Sequence, residues 1–84
     1  MNLMSGGNEM QQRPLDVLGN SENKRIIIQV KSRDKIIGLL KAFDSHLNIW
    51  LDEAEVQNQD GENAVKLGTV LVRGDNIIWI SPGK

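Results

Sequence analysis

From Lys24 onward the apolar residues come in short runs separated by turn-forming residues: R-I-I-I-Q-V-K, K-I-I-G-L-L-K-A-F, L-N-I-W-L, A-V-K-L-G-T-V-L-V and N-I-I-W-I. Each run is β-branched or apolar and of strand length, so five strands are predicted. Ser32, Arg33 and Asp34 form the first turn, Gln57 to Asn63 with its Asp60-Gly61 pair a longer hairpin loop, and Arg73-Gly74-Asp75 a tight one. The spacing predicts an antiparallel meander. Before the strands, R-P-L-D-V-L-G-N predicts a very short helix: Pro14 suits its first position, Leu15 and Leu18 share one side, and Gly19 supplies a stop.

Several runs, such as I-I-I and V-L-V, are apolar on both faces, which a half-exposed sheet does not tolerate. Curling into a small barrel hides one face, and contact with another subunit hides the other. Gly38 and Gly68 fall inside strands, where a missing side chain permits the sharp bend that closure needs. An open barrel leaves strand edges unpaired, and the stretches L-G-T-V-L-V and N-I-I-W-I of the last two strands carry no charge to protect them until Arg73. If one edge pairs with a different edge of the next copy, the contact is heterologous, and its repetition closes a ring when the rotation allows.

The stretch F-D-S-H-L-N-I-W-L breaks the apolar pattern. In a strand, Leu47, Ile49 and Leu51 share one face while His46, Asn48 and Trp50 share the other. The polar pair is therefore aimed away from the core.

Composition narrows the function classes. The chain has 84 residues, enough for one small domain, expected over residues 13 to 82 after a disordered polar tail at 1 to 12. That tail lacks the basic stretch and apolar core of a signal peptide, and no run approaches membrane-spanning length. The absence of cysteine removes disulfides and thiol chemistry and fits a reducing, cytoplasmic interior, while a single histidine argues against zinc. No cofactor is expected. Ten Lys plus Arg against eleven Asp plus Glu provide no bulk positive field, so any nucleic-acid binding must be local. Asp52, Glu53 and Glu55 invite an acid/base or metal reading, but nothing nearby in sequence offers a nucleophile or a perturbing partner. A solvated face is the better reading, and no enzyme is expected. Arg73-Gly74-Asp75 reads as a turn rather than an integrin tripeptide, and Trp50 and Trp79 as packing or interface residues.

I-G-L-L-K-A-F-D-S-H-L-N-I-W-L at residues 37 to 51, followed by L-V-R-G-D-N-I-I-W-I at 71 to 80, resembles the two-part signature of the Sm and Sm-like (LSm) family. The elements are a strand glycine, an aromatic-Asp pair, an asparagine in the third strand and an Arg-Gly-x-Asn turn. The helix R-P-L-D-V-L is similar to that of archaeal members. Leu47, where methionine is common, is an apolar departure of small consequence. The resemblance implies an all-β, strongly bent, five-stranded antiparallel SH3-like open barrel (Sm fold) with an N-terminal helix. It implies assembly into a ring, usually a heptamer, whose pore face holds single-stranded, uridine-rich RNA. Position by position, His46 matches the residue stacking on one side of the base and Asn48 the one hydrogen-bonding the uracil edge. Arg73 matches the arginine covering the other side, and Gly74 and Asp75 the loop residues completing the pocket. A second RNA site near Arg13 and Asp16 is a further expectation.

The chemistry of these residues agrees with that assignment. A ring, a guanidinium plane and a carboxamide supply what an unstacked base needs, with stacking worth roughly 1 to 3 kcal/mol per base. The expected role is an RNA chaperone or scaffold in RNA processing or turnover, working beside RNA-processing proteins and apart from membranes. The alternative is a ring-forming protein scaffold for which RNA is secondary.

Overall fold

The computed structural model describes residues 13–58 and 64–82. The tail expected over 1–12 and the Asp60-Gly61 tip of the third loop lie outside the described residues. Helix α1 spans Pro14–Gly19 and is followed by strands β1 (Arg25–Val30), β2 (Lys35–Phe43), β3 (Ile49–Gln57), β4 (Ala64–Val72) and β5 (Ile77–Ser81). A helix this short cannot stand alone, and it leans on the core through Leu18, which is buried. Its first turn is closed by Asp16, whose carboxylate accepts from the Arg13 backbone N–H at 3.0 Å. Leu15, expected beside Leu18, stays exposed.

The apolar runs of β1, β2 and the start of β3 bury alternate positions, as a strand facing a core must, while β4 is largely exposed until Val72. Ile26, Ile28 and Val30 of β1 point inward, and with Leu40, Ile49, Leu51 and Val72 they form the core. Ile26, Ile28, Leu40, Ile49 and Leu51 are fully buried, each worth about 2 kcal/mol of transfer free energy.

All strand pairs are antiparallel, and the order across the sheet is β4-β3-β2-β1-β5. The meander holds through β4 and then fails. Instead of returning along β4, β5 pairs with β1, setting Ile28 opposite Ile80 and Gln29 opposite Trp79. The reason is the turn at Arg73-Gly74-Asp75, expected as a tight hairpin. Gly74–Asn76 is instead one turn of 3-10 helix. Its Asn76 carbonyl accepts from the Lys31 N–H at 3.0 Å and so hands the chain to the end of β1.

The bend across β2 and β3 is steric in origin. A Cβ placed on Gly38 would lie 3.1 Å from both Ala54 Cα and the Asp52 carbonyl, so a side chain there would push β3 back and loosen the close approach of the two strands. The register slips at the same place, between Ile37 and Leu39 and between Leu51 and Ala54. Glu53 bulges there with φ 51, and Gly68, across the next pairing, has φ 78. The sheet wraps round the core and stops short of closing, with β4 and β5 as unpaired edges.

Candidate functional site

The site lies at the end of the sheet where the β2–β3 and β4–β5 connections meet. His46, Asn48, Arg73, Gly74 and Asp75 line one open cleft of about 480 Å³. Sequence reasoning placed His46 and Asn48 on a strand, and this is corrected: β3 begins at Ile49, and both residues belong to the loop before it. Leu47, between them, has φ 63, which no strand accommodates. The facing expected from alternation nonetheless appears. Leu47 packs on the core, while His46 and Asn48 are exposed.

Asp44 organises this loop. One of its carboxylate oxygens accepts from the backbone N–H of His46 at 2.9 Å and of Asn48 at 3.0 Å. The other accepts from Asn48 Nδ2 at 3.1 Å. The Asn48 backbone and side-chain bonds, then the backbone bond from His46, hold the Asp44 carboxyl below the usual carboxylate range. Sequence reasoning noticed Asp44 only as part of the aromatic-Asp pair. Its signal was its place two residues before His46 and four before Asn48, the reach of an aspartate that bonds the turn it begins.

Asn48 links the two connections. Its Oδ1 accepts from the Gly74 backbone N–H at 2.9 Å while its Nδ2 donates to Asp44, so both ends of the carboxamide are oriented. Gly74 is obligatory for this meeting, because a Cβ there would run into the His46 carbonyl. Arg73 is held loosely. Its guanidinium sits 3.7 Å from Asp75 with both side chains well exposed, an ion pair of at most about 1 kcal/mol. The planar cation is thus available to a ligand.

Other expected features fall elsewhere. Arg13 and Asp16 pair with each other on the helix at 3.7 Å. Of the acidic trio, Glu53 lies 3.9 Å from Arg25, and Asp52 accepts from Trp50 Nε1 and Thr69 Oγ1. Among the described residues no group of histidine and acidic side chains is arranged to hold a metal ion, and no helix is long and apolar enough to cross a membrane.

The LSM domain family matches residues 16–82 of the chain. This chain is an LSM-domain protein. An snRNP Sm-like protein of Methanococcoides burtonii is 42% identical to the LSM chain over 73 residues, which are 87% of this chain and all of the relative. Among solved structures, the Pyrococcus abyssi Sm protein in complex with a uridine heptamer superposes with a TM-score of 0.80 at 39% identity, covering 86% of this LSM chain and all of that one. The P. aerophilum SmAP1 heptamer gives 0.81 at 35% identity, covering 89% and 99%. The fold is therefore the strongly bent, open Sm barrel with its N-terminal helix.

Proposed function

We propose that this LSM chain assembles into a ring, a heptamer by analogy with the SmAP1 heptamer it resembles. We propose further that the ring binds single-stranded, uridine-rich RNA through His46, Asn48, Arg73, Gly74 and Asp75, as a chaperone or scaffold in RNA processing or turnover. The observation that carries this reading is the anchored carboxamide of Asn48. Held by Asp44 through Nδ2 and by Gly74 through Oδ1, it keeps one N–H and one oxygen lone pair beyond those two bonds. That pair complements the N3–H and the O4 carbonyl of uracil. Cytosine in the same pose would set an acceptor against Oδ1 and an amino group against Nδ2. The exposed His46 ring and Arg73 plane flank the cleft as stacking surfaces. One such pocket binds weakly, and a ring presenting several along one strand raises avidity about a hundredfold or more.

The test is fluorescence anisotropy of labelled oligo-U and oligo-C of equal length, titrated with the chain at physiological salt. Oligo-U is expected to bind about tenfold tighter or more, and Asn48→Ala to erase most of that difference while the ring persists. An Asn48→Ala variant that discriminates as well as the parent would refute the base-reading role. An intact ring with no affinity for either oligonucleotide would leave a protein scaffold as the function.

A further inference from the structure

Beside the candidate base cleft, a second and wider groove of about 550 Å³ opens where three adjacent strands end. Ala42 of β2, Trp50 of β3 and Leu71 of β4 lie side by side in it as cross-strand partners. Asn48 and Arg73 border both hollows, so the two are continuous. None of the roles given to the base cleft uses Trp50.

Strand alternation turns Trp50 outward, because its neighbours Ile49 and Leu51 are buried, and the residue is 43% exposed. Ala42, its partner on one side, carries a single methyl group and leaves that flank of the indole open. Leu71, its partner on the other side, is 77% exposed and extends the apolar floor. The indole is also fixed in place. Its Nε1 donates to Asp52 Oδ1 at 3.2 Å, and the same oxygen accepts from Thr69 Oγ1 of β4 at 2.9 Å. The first of these bonds occupies the one polar atom of the indole, which leaves flat apolar surface and nothing with which to read a base edge. A side chain held in this way loses little further entropy when a ligand docks.

We infer that Trp50 is a stacking platform for a second nucleobase, the one next along the strand from the uracil held at Asn48. This rests on the base-reading role proposed above and extends it from one nucleotide to two. The occupant follows from the walls of the groove. A flat aromatic and aliphatic floor suits the face of any base. Arg73, whose guanidinium can stack by its face and donate to a phosphate by its edge, stands where the two hollows meet and where the link between two nucleotides would pass. The groove crosses the face of the sheet instead of following the β4 edge, so a copy pairing with that edge does not have to fill it.

Two sites of different kinds give two kinds of loss. Trp50→Ala is expected to weaken oligo-U and oligo-C by the same factor, about tenfold or more, with the preference for uridine intact and assembly unchanged by native mass spectrometry. Trp50→Phe, which keeps a flat ring, is expected to retain most of the affinity. An oligo-U in which every second nucleotide lacks its base is expected to bind the parent several-fold more weakly than intact oligo-U, whereas Trp50→Ala binds the two alike. A Trp50→Ala variant that separates them as the parent does would overturn the platform. Trp79→Phe, a conservative change in the groove beside the helix, leaves Trp50 as the sole tryptophan. Its emission is expected to be quenched, and its access to acrylamide to fall several-fold, when oligo-U saturates the assembled chain. Emission and access that stay unchanged at saturation would overturn the platform and leave the base cleft standing. An indole already shielded before RNA is added would overturn it too and make Trp50 a contact between copies. A parent chain that binds neither oligonucleotide would overturn the base reading on which the platform rests.

Discussion

Two turns of the sheet each hold one bulky residue in the left-handed backbone region, Arg33 with φ 75 between β1 and β2, and Leu47 with φ 63 between β2 and β3. The strain is alike, and what surrounds it is not. At the first turn, Arg33 donates its N–H to Val30 O at 2.8 Å, Ser32 Oγ donates to Asp34 at 3.1 Å, and the Arg33 side chain is exposed. At the second, Leu47 packs on the core, its N–H reaches Asp44 O at 3.0 Å, and the Asp44 carboxylate gathers three further donors. A strained residue persists when its surroundings over-determine it, and such residues concentrate at functional sites. The β2–β3 loop meets that description. The β1–β2 turn is an ordinary connection carrying an awkward residue.

The most severe test of this contrast is Gly74→Ala. The added methyl collides with the His46 carbonyl, so the β4–β5 turn must separate from the loop and release Asn48. A stability loss of roughly 1 to 3 kcal/mol in urea unfolding, with near-complete loss of oligo-U binding, is expected. Unchanged affinity would mean that the two connections need not touch.

Asp44→Ala comes next. It removes three hydrogen bonds from the loop at once and is expected to lower oligo-U affinity roughly tenfold while the sheet persists by circular dichroism. The parent carboxylate also offers a pH test. Because its folded pKa is depressed, its contribution is complete above the unfolded value of about 4 and is lost as pH falls through the lower folded value. Carboxyl NMR is expected to give an Asp44 midpoint below the ordinary range, and Asn48→Ala to move it upward. A midpoint that ignores Asn48 would break the proposed linkage.

The smallest effects sharpen the comparison through their signs. Leu47→Gly relieves the positive φ but discards a packed side chain, for a net loss of about 1 to 2 kcal/mol. Arg33→Gly relieves the same strain and removes no buried apolar group, for a gain of about 0.5 to 1 kcal/mol. Thermal midpoints that move in the same direction for both would show that the loops do not differ in the way described.

What was legible in the sequence divides along the same line. Local periodicity announced the five strands, and Gly38 announced the close approach that bends them, because both are properties of neighbouring residues. The pairing of β5 with β1 was not legible, since nothing in N-I-I-W-I says which distant strand it will join. The end of the loop, 46–48, read as strand because Leu47 does not advertise a left-handed backbone. For the same reason the role of Asp44 emerged only once the chain was seen to double back on it. The five residues of the candidate cleft were named from their resemblance to a known pattern. Their convergence needed the β4–β5 turn to come against the loop, a contact that Gly74 permits and Asn48 fastens.

The strand order also sets a timetable. β1, near the start of the chain, sits inside the sheet only when β5, the last strand, arrives beside it and pairs Ile28 with Ile80. Pairings this distant form late, because a long loop must close before they yield anything in return. One edge, β4, can therefore be offered as soon as the hairpins form, whereas the other exists only in a finished chain. In the ring proposed above, a half-made copy would end a row of subunits but never extend it, and completion of the fold would be the licence for assembly.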